Sequence, residues 1–251
     1  MHAAEQIRAA IAGVMSLREA HVLSPALGEA IHAIKGLQAR RFAHTYADLA
    51  ADPVYAPAVS FFLTELYAAR DFRERDLQFG RIAGALERWL PPAATETAVA
   101  LAELHGLSER LDHEMALAWL QQSDTTPAAE RYVEAWRRVS APHERGHQLE
   151  LVLALGRELI GLTQTPGLLL LLKAMRGPAK MAGLAALQSF LETGFHTFKD
   201  LALVRGRAER FLDVIEHRER EWLTRLFEWP KTEAIAVLMP AIQATEAPIQ
   251  N

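Results

Sequence analysis

Hydrophobic and polar positions along the chain recur at spacings of three and four residues, and no stretch alternates cleanly over the length of a strand. Such spacings place apolar side chains on one face of an α-helix, and the abundance of Ala and Leu favours the same conformation. Prolines and cap residues divide the chain into about ten or eleven helices. The pattern predicts an all-α fold, a multi-helix bundle of about ten helices, and allows two helical subdomains that share a core.

Individual helices can be placed by their prolines and glycines. The segment Pro142–Thr163 begins with a proline suited to a first helical turn and is apolar on nearly every side, which predicts a central helix surrounded by others. Gly106 is predicted to end one helix and precede the next. A further helix is predicted from 178 to about 203, where Gly183 and Gly194 would let a neighbouring helix approach closely.

A polar stretch at 123–127 divides the chain almost in half and is the best candidate for a linker. We therefore predict an N-terminal helical half at 1–122, a C-terminal helical half at 128–229 and an apolar tail at 230–251. The tail is short, so its predicted role is to dock on the parent fold. A single domain over 1–251 stays open as the alternative.

Two predicted helices carry polar residues in the middle of an apolar face. After Pro25, one face contains Leu27, Ile31, Ile34, Gln38, Arg41, Thr45 and Leu49. In a later helix, Asp76 falls on the face of Phe72, Phe79, Ala83, Leu86 and Leu90. A buried carboxylate is costly unless it is paired or protonated, so we hypothesise that Arg41 or Arg70 pairs with Asp76 and fixes helix register. A polar pocket that faces a ligand, or an Asp76 that is not buried, are the alternatives.

A segment at 61–76 reads Phe-Phe-Leu-x-Glu-Leu-Tyr-x-x-Arg-Asp-Phe-x-x-Arg-Asp. It is accompanied by Met-Arg-Gly-Pro-Ala at 175–179 and Leu-Gln-x-Phe-Leu-Glu-x-Gly-Phe at 187–195. Together these segments resemble a family of uncharacterised bacterial proteins over most of the chain. The resemblance implies an all-helical protein and no particular chemistry. With Arg41 from the preceding argument, the candidate set for binding a ligand or partner is Arg41, Glu65, Tyr67, Arg70, Asp71 and Asp76.

Ten histidines without any cysteine raise the question of a metal site. Glu109 and His113 stand four residues apart on one helix face, and Glu192 and His196 do the same. Carboxylate and imidazole ligands from several helices form di-iron bundles, so these four residues are the candidate ligands for iron or manganese. These bundles usually carry Glu and His three residues apart, whereas the residues of the two candidate pairs stand four apart. Solvated ion pairs on helix surfaces are therefore the competing interpretation.

Charge and composition limit the classes of partner and the cellular locations that remain open. The chain of 251 residues has a formal net charge of −4, which gives no bulk attraction to nucleic acid. Charges at 205–225 alternate in sign, which predicts a solvent face with its own ion pairs. No apolar run reaches the ~20 residues that span a bilayer, and the first residues do not resemble a secretory signal. A cytoplasmic location agrees with the absence of cysteine and is the prediction.

Strong packing signals without a convincing catalytic constellation favour a non-enzymatic helical module with an interaction or regulatory role. We expect it to bind a protein partner, or itself as a homodimer, through the segment from Glu65 to Asp76. One alternative is a metal-dependent, di-iron-like oxidase or sensor that uses the four candidate ligands. Another is a bundle that binds an apolar small ligand, with Asp76 and Arg41 holding its polar head. The leading interpretation requires no cofactor.

Overall fold

The computed structural model of the protein describes residues 2–66, 72–139 and 141–243. Within these ranges the chain is helical and forms no strand, which confirms the predicted all-α class. The helices are α1 (Ala3–Leu23), α2 (Pro25–Thr45), α3 (Ala47–Ala51), α4 (Ala56–Phe61), a π-helical turn (Phe62–Leu66), α5 (Arg73–Trp89), α6 (Pro92–Leu120), α7 (Ala128–Val139), α8 (Pro142–Thr163), α9 (Leu168–Ala174), α10 (Arg176–Met181), α11 (Ala185–Ala202), α12 (Arg207–Phe227) and α13 (Lys231–Gln243). None of these helices is long and apolar enough to cross a membrane.

Two helices begin at a proline, as the sequence predicts, because Pro25 opens α2 and Pro142 opens α8. α6 also begins at a proline, Pro92, where the sequence pattern does not predict a helix start. A proline in the first turn loses no helical hydrogen bond, and its fixed φ already suits the helix. The prediction for α8 is confirmed at both ends.

Two predicted boundaries are wrong. Gly106 does not end a helix, because α6 continues through it and places it beside Ala10 of α1. A glycine inside a helix costs about 1 kcal/mol relative to alanine, which packing against a neighbour can offset. The predicted helix at 178–203 is interrupted because Gly183 adopts a left-handed φ of 67° and separates α10 from α11. Gly194 is buried within α11.

Two further predictions hold only in part. α2 ends at Thr45, so Leu49 of the predicted apolar face belongs to α3. Tyr46 separates the two helices with a non-helical backbone, φ −112° and ψ 20°. α8 is not surrounded on every side, because its residues Arg157 and Glu158 are exposed. One side of this helix therefore faces solvent.

The helices form two compact units. Unit 1 comprises the described residues of Met1–Ser16, Arg70–Leu107 and Glu150–Asp213, and unit 2 comprises those of Leu17–Ala69, Ser108–Leu149 and Val214–Asn251. Four helices, α1, α6, α8 and α12, each contribute one stretch to unit 1 and another to unit 2. Both units draw residues from either side of 123–127 as a result. The predicted halves at 1–122 and 128–229 do not coincide with these units.

The core of unit 2 is built from one face of each of five helices, α2, α6, α7, α12 and α13. Its largest buried members include Ile34, Leu37, Met115, Trp119, Tyr132, Trp136, Trp222 and Leu238. α13 packs on α2 and α7 and buries Leu238 together with Ala234 and Ala241. The described part of the tail at 230–251 therefore docks on the fold, in agreement with its apolar sequence.

Unit 1 packs α11 against α5. The buried side chain of Gln78 links the two helices, because its Oε1 accepts a hydrogen bond from the backbone N–H of Leu187 at 2.9 Å. Buried apolar residues of this unit include Ile7, Ile11, Phe79, Ala83, Leu153, Phe198 and Phe211. The amide of Gln78 thus satisfies one of the backbone groups at the start of α11 that have no partner inside the helix.

Replacing Gly183 by alanine is expected to lower the free energy of unfolding by about 1 kcal/mol, because a Cβ is unfavourable in left-handed backbone. The matched control is Gly13→Ala in α1, where the backbone is helical and nothing lies within 4 Å of the added Cβ. That control should stabilise the protein by up to about 1 kcal/mol. Urea unfolding followed by circular dichroism measures both changes. Effects of the same sign would contradict the assigned turn.

Candidate functional site

The buried member of the polar series predicted on α2, Arg41, lies in the interior of unit 2. Arg41 is 6% exposed, and its guanidinium group donates hydrogen bonds of 3.0 and 2.9 Å to the two carboxylate oxygens of Glu219 on α12. The hydroxyl group of Tyr46 donates to the same carboxylate at 2.9 Å. A bidentate arginine–carboxylate pair is strong and directional, so it sets the position of α2 against α12.

A second group of charges joins α2 to α6. Lys35 Nζ donates to Glu109 Oε1 at 2.6 Å, and Arg18 Nη2 lies 3.7 Å from the same oxygen. Gln38 donates its amide to Asp112 at 2.8 Å. Burial raises the pKa of the Asp112 carboxyl above its ordinary value. Gln38 and Arg41 of the polar series on α2 thus bond to carboxylates inside unit 2.

Asp76 is 2% exposed in unit 1, so its predicted burial is confirmed. Its Oδ2 lies 2.9 Å from His105 Nε2 on α6, within hydrogen-bond distance, and Arg75 Nε lies 3.5 Å from its Oδ1. Arg41, the first predicted partner, holds a different carboxylate, as described above. Arg70 lies outside the described residues, so its pairing with Asp76 stays a prediction.

The described part of the segment at 61–76 is packed into the protein. Its buried aromatic residues are Phe61, Phe62 and Phe72. The guanidinium carbon of Arg75 lies 4.1 Å from the ring centre of Phe72, a cation–π contact. Glu65 is half-buried in the π-helical turn. The remaining candidates of this segment lie outside the described residues, and their role stays a prediction: Tyr67, Arg70 and Asp71.

The four predicted metal ligands are divided between the two units. Glu109 and His113 belong to unit 2, whereas Glu192 and His196 belong to unit 1. His113 Nδ1 lies 3.1 Å from His21 Nε2, and the two rings are stacked. In the described ranges, no cluster of three or more His, Asp and Glu side chains is arranged to hold a metal ion. The iron- or manganese-dependent alternative gains no support from them.

Sequence reasoning misses Glu219 and His105. Glu219 belongs to the predicted solvent face at 205–225, yet its side chain is 14% exposed and bonds to Arg41. The available signal is its place in an apolar series with spacings of three and four: Leu212, Ile215, Glu219, Trp222 and Leu226. Glu219 thus stands in an apolar series of the same kind as the one that contains Asp76. His105 stands one turn before Glu109 in a polar series of α6, which is a weaker signal.

Four large apolar side chains are exposed within residues 170–181 of unit 1. Leu170 and Met181 are 74% and 84% exposed, and Leu171 and Met175 are nearly half exposed. α9 buries none of its residues, and α10 buries only Ala179. We call Leu170, Leu171, Met175 and Met181 the α9–α10 surface. Other exposed large apolar side chains among the described residues occur singly or in pairs, such as Leu203 with Val204, so this group of four is the largest along the chain.

The segment that carries the α9–α10 surface is bonded to α11. Arg176 Nε lies 2.6 and 2.7 Å from the two carboxylate oxygens of Glu192, and a second nitrogen of the same guanidinium group also donates to this carboxylate. Gln188 Nε2 donates to the carbonyl oxygen of Leu172 at 2.7 Å. The Arg176 guanidinium lowers the pKa of Glu192 to about 2. Glu192, a predicted metal ligand, thus takes part in holding α10 against α11.

Comparison with known proteins identifies the family of the chain. A family model described as a domain of unknown function, DUF8198, matches residues 17–232. Because this match covers most of the chain, the chain belongs to that family, in agreement with the resemblance seen in the sequence. No curated protein and no solved structure matches the chain. The α9–α10 surface and the buried residues Arg41 and Asp76 lie within the matched range.

Replacing Arg41 by methionine is expected to lower the free energy of unfolding by about 3 kcal/mol, because the Glu219 side chain, only 14% exposed, loses its cationic partner. The matched control is Arg220→Met, which removes the exposed ion pair with Glu216. Exposed pairs of this kind contribute less than about 1 kcal/mol. Denaturant unfolding of both variants measures the difference. Equal losses would contradict the interior position of Arg41.

The stability of the protein should fall as the pH is lowered from about 6.5 toward 4. Burial, and next the neighbouring His113, lower the pKa of His21 from 6.5 to about 4, so within this window the unfolded chain binds a proton that the folded chain does not. Replacing His21 by glutamine should reduce this pH dependence. Denaturant unfolding at pH 7, 5.5 and 4.5 measures it, with the exposed His217→Gln as control. A slope unchanged in the His21 variant would contradict the assignment.

Proposed function

We propose that the protein is a non-enzymatic helical interaction module that binds another protein through the α9–α10 surface. The observation that carries the proposal is the exposure of Leu170, Leu171, Met175 and Met181 on a segment held by defined hydrogen bonds. Burying a large apolar side chain is worth roughly 1.5–3 kcal/mol, so each exposed one forgoes stability in the free chain. A partner that covers these side chains recovers that free energy on binding.

The chemistry of the surface also suits a protein partner. Met175 and Met181 have flexible, polarisable side chains, and methionine is frequent on surfaces that adapt to the shape of a bound helix. Leucines from the adjacent helix provide the larger part of the apolar contact. The hydrogen bonds of Arg176 and Gln188 to neighbouring residues hold the segment before the partner arrives, which reduces the entropy lost on binding.

The buried charged residues support a structural role for the polar interior. Arg41 with Glu219, Lys35 with Glu109, and Asp76 with His105 each bond within their own unit. Asp76 and Arg41 therefore supply no evidence for the alternative in which they hold the polar head of a small ligand. The described aromatic residues of 61–76 are buried, so we place the binding surface on α9 and α10 and not on that segment. A cytoplasmic location remains part of the proposal.

A photo-reactive phenylalanine analogue at position 170 or 181 should form a covalent adduct with one defined protein in living cells. The same analogue at position 23 is the control, because Leu23 is also 84% exposed but belongs to unit 2. Mass spectrometry identifies the partner, which is then purified. Its affinity for the chain should fall about tenfold or more in Leu170→Glu, since a carboxylate would have to be desolvated in the interface.

Three outcomes would overturn this proposal. The first is the absence of a protein adduct at positions 170 and 181. The second is an identical set of adducts from position 23, which would indicate unspecific capture. The third is a purified partner that binds Leu170→Glu as tightly as the unmodified chain.

A further inference from the structure

The α9–α10 surface lies in the longest stretch of the sequence that contains no acidic residue. No Asp or Glu occurs at 159–191, where Lys173, Arg176 and Lys180 are the charged residues. The whole chain has 27 basic and 31 acidic residues, so the rest of it has 24 basic and 31 acidic ones, a net charge of −7. A local charge of +3 thus lies in a chain that is otherwise negative.

Two of these three cations have no carboxylate partner among the described residues. Arg176 is bonded to Glu192, which compensates its charge. Lys173 and Lys180 are exposed and form no ion pair in the described ranges. In contrast, Lys231 bridges Glu130 and Glu134. The exposed apolar residues of the surface are therefore accompanied by ammonium groups that are free to meet an acidic partner.

We infer that the partner of the α9–α10 surface is an amphipathic helix whose apolar face is flanked by Asp or Glu residues. This inference rests on the proposed function and specifies its partner. Leu170, Leu171, Met175 and Met181 would meet the apolar face, and Lys173 and Lys180 would meet the flanking carboxylates. Apolar contacts from a helix at spacings of three, four and seven residues, together with charge complementarity, form a common mode of peptide recognition.

The lengths of the two helices set the size of the partner segment. α9 has 7 residues and α10 has 6, which at 1.5 Å per residue gives about 10 Å each. A partner helix that covers either of them with its apolar face needs about two turns, and one that covers both needs about three to four. An acidic helix of about 8–14 residues is therefore sufficient.

A helix fits these charges better than an anionic bilayer does. A membrane would also offer negative charge and an apolar interior, but its surface is extended. The chain outside 159–191 carries a net charge of −7, so an extended anionic surface would repel much of what it approaches. A single helix contacts only the basic and apolar segment. Two uncompensated lysines, at about 1 kcal/mol each near an anionic membrane, would also give weak attachment.

The experiment compares charge variants in the photo-crosslinking assay, with the analogue at position 181. Lys173→Glu combined with Lys180→Glu should lower the yield of the protein adduct about tenfold, because two attractive contacts become repulsive. Lys173→Arg combined with Lys180→Arg keeps the charge and should keep the yield. Arg138→Glu, an exposed cation of unit 2, is the matched control and should have no effect.

Salt provides a second readout that does not depend on correct folding of a variant. In cleared lysate, raising sodium chloride from about 50 to 500 mM shortens the range of charge interactions and should reduce the yield several-fold. The crosslinked peptide of the partner should contain Asp or Glu on both sides of a helical apolar pattern. A protein adduct that is unaffected by charge reversal and by salt would overturn this inference while the proposed function stands.

The other outcomes are also decisive. A phospholipid adduct, or an adduct of two copies of this chain, would overturn the inference and identify a different occupant. The absence of any adduct at 170 and 181 would instead overturn the proposed function itself. Failure of the inference and failure of the function are therefore distinguishable.

Discussion

A charged side chain inside a protein must meet an opposite charge or a set of hydrogen bonds, and this constraint decides how the helices of each unit are joined. Leaving one member of a buried pair alone costs about 3–5 kcal/mol, a large part of the stability of a domain. In unit 2, the pair of Arg41 and Glu219 joins α2 to α12. In unit 1, Asp76 meets His105 and joins α5 to α6. Non-directional apolar packing accompanies these contacts, but the bonded pairs are directional and specify helix register.

The charged residues of the interior and the exposed apolar residues therefore have different roles. The polar residues that first attract attention are in the interior, where their partners are other parts of the same unit. Among the described residues, the largest group of exposed large apolar side chains along the chain lies at 170–181, on and between α9 and α10. Glu192 is an example of a structural role, because this predicted metal ligand instead bonds to Arg176 and holds the exposed segment. The range matched by the DUF8198 family model, residues 17–232, includes both the interior pairs and the α9–α10 surface.

The sequence predicts the helical class and many helix ends because proline and helical periodicity act locally. It also predicts Gln38, Arg41 and Asp76 as polar residues on apolar faces, since periodicity alone assigns a face. It does not predict the partners, because these depend on which helices approach in three dimensions. Glu219 is misassigned to solvent since alternating charges around it resemble an exposed surface. The exposure of Leu170 cannot be predicted from the sequence either, because a run of leucines has the same pattern whether it is buried or exposed.

Hydrogen–deuterium exchange of the intact chain, with and without the purified partner identified by crosslinking, tests whether that partner binds the α9–α10 surface. Short helices with few buried residues open readily, so amides of α9 and α10 should exchange quickly in the free chain. We expect the partner to slow exchange at 168–181 and to leave exchange in helix α2 unchanged. Slower exchange that appears elsewhere and leaves 168–181 as fast as before would contradict this expectation.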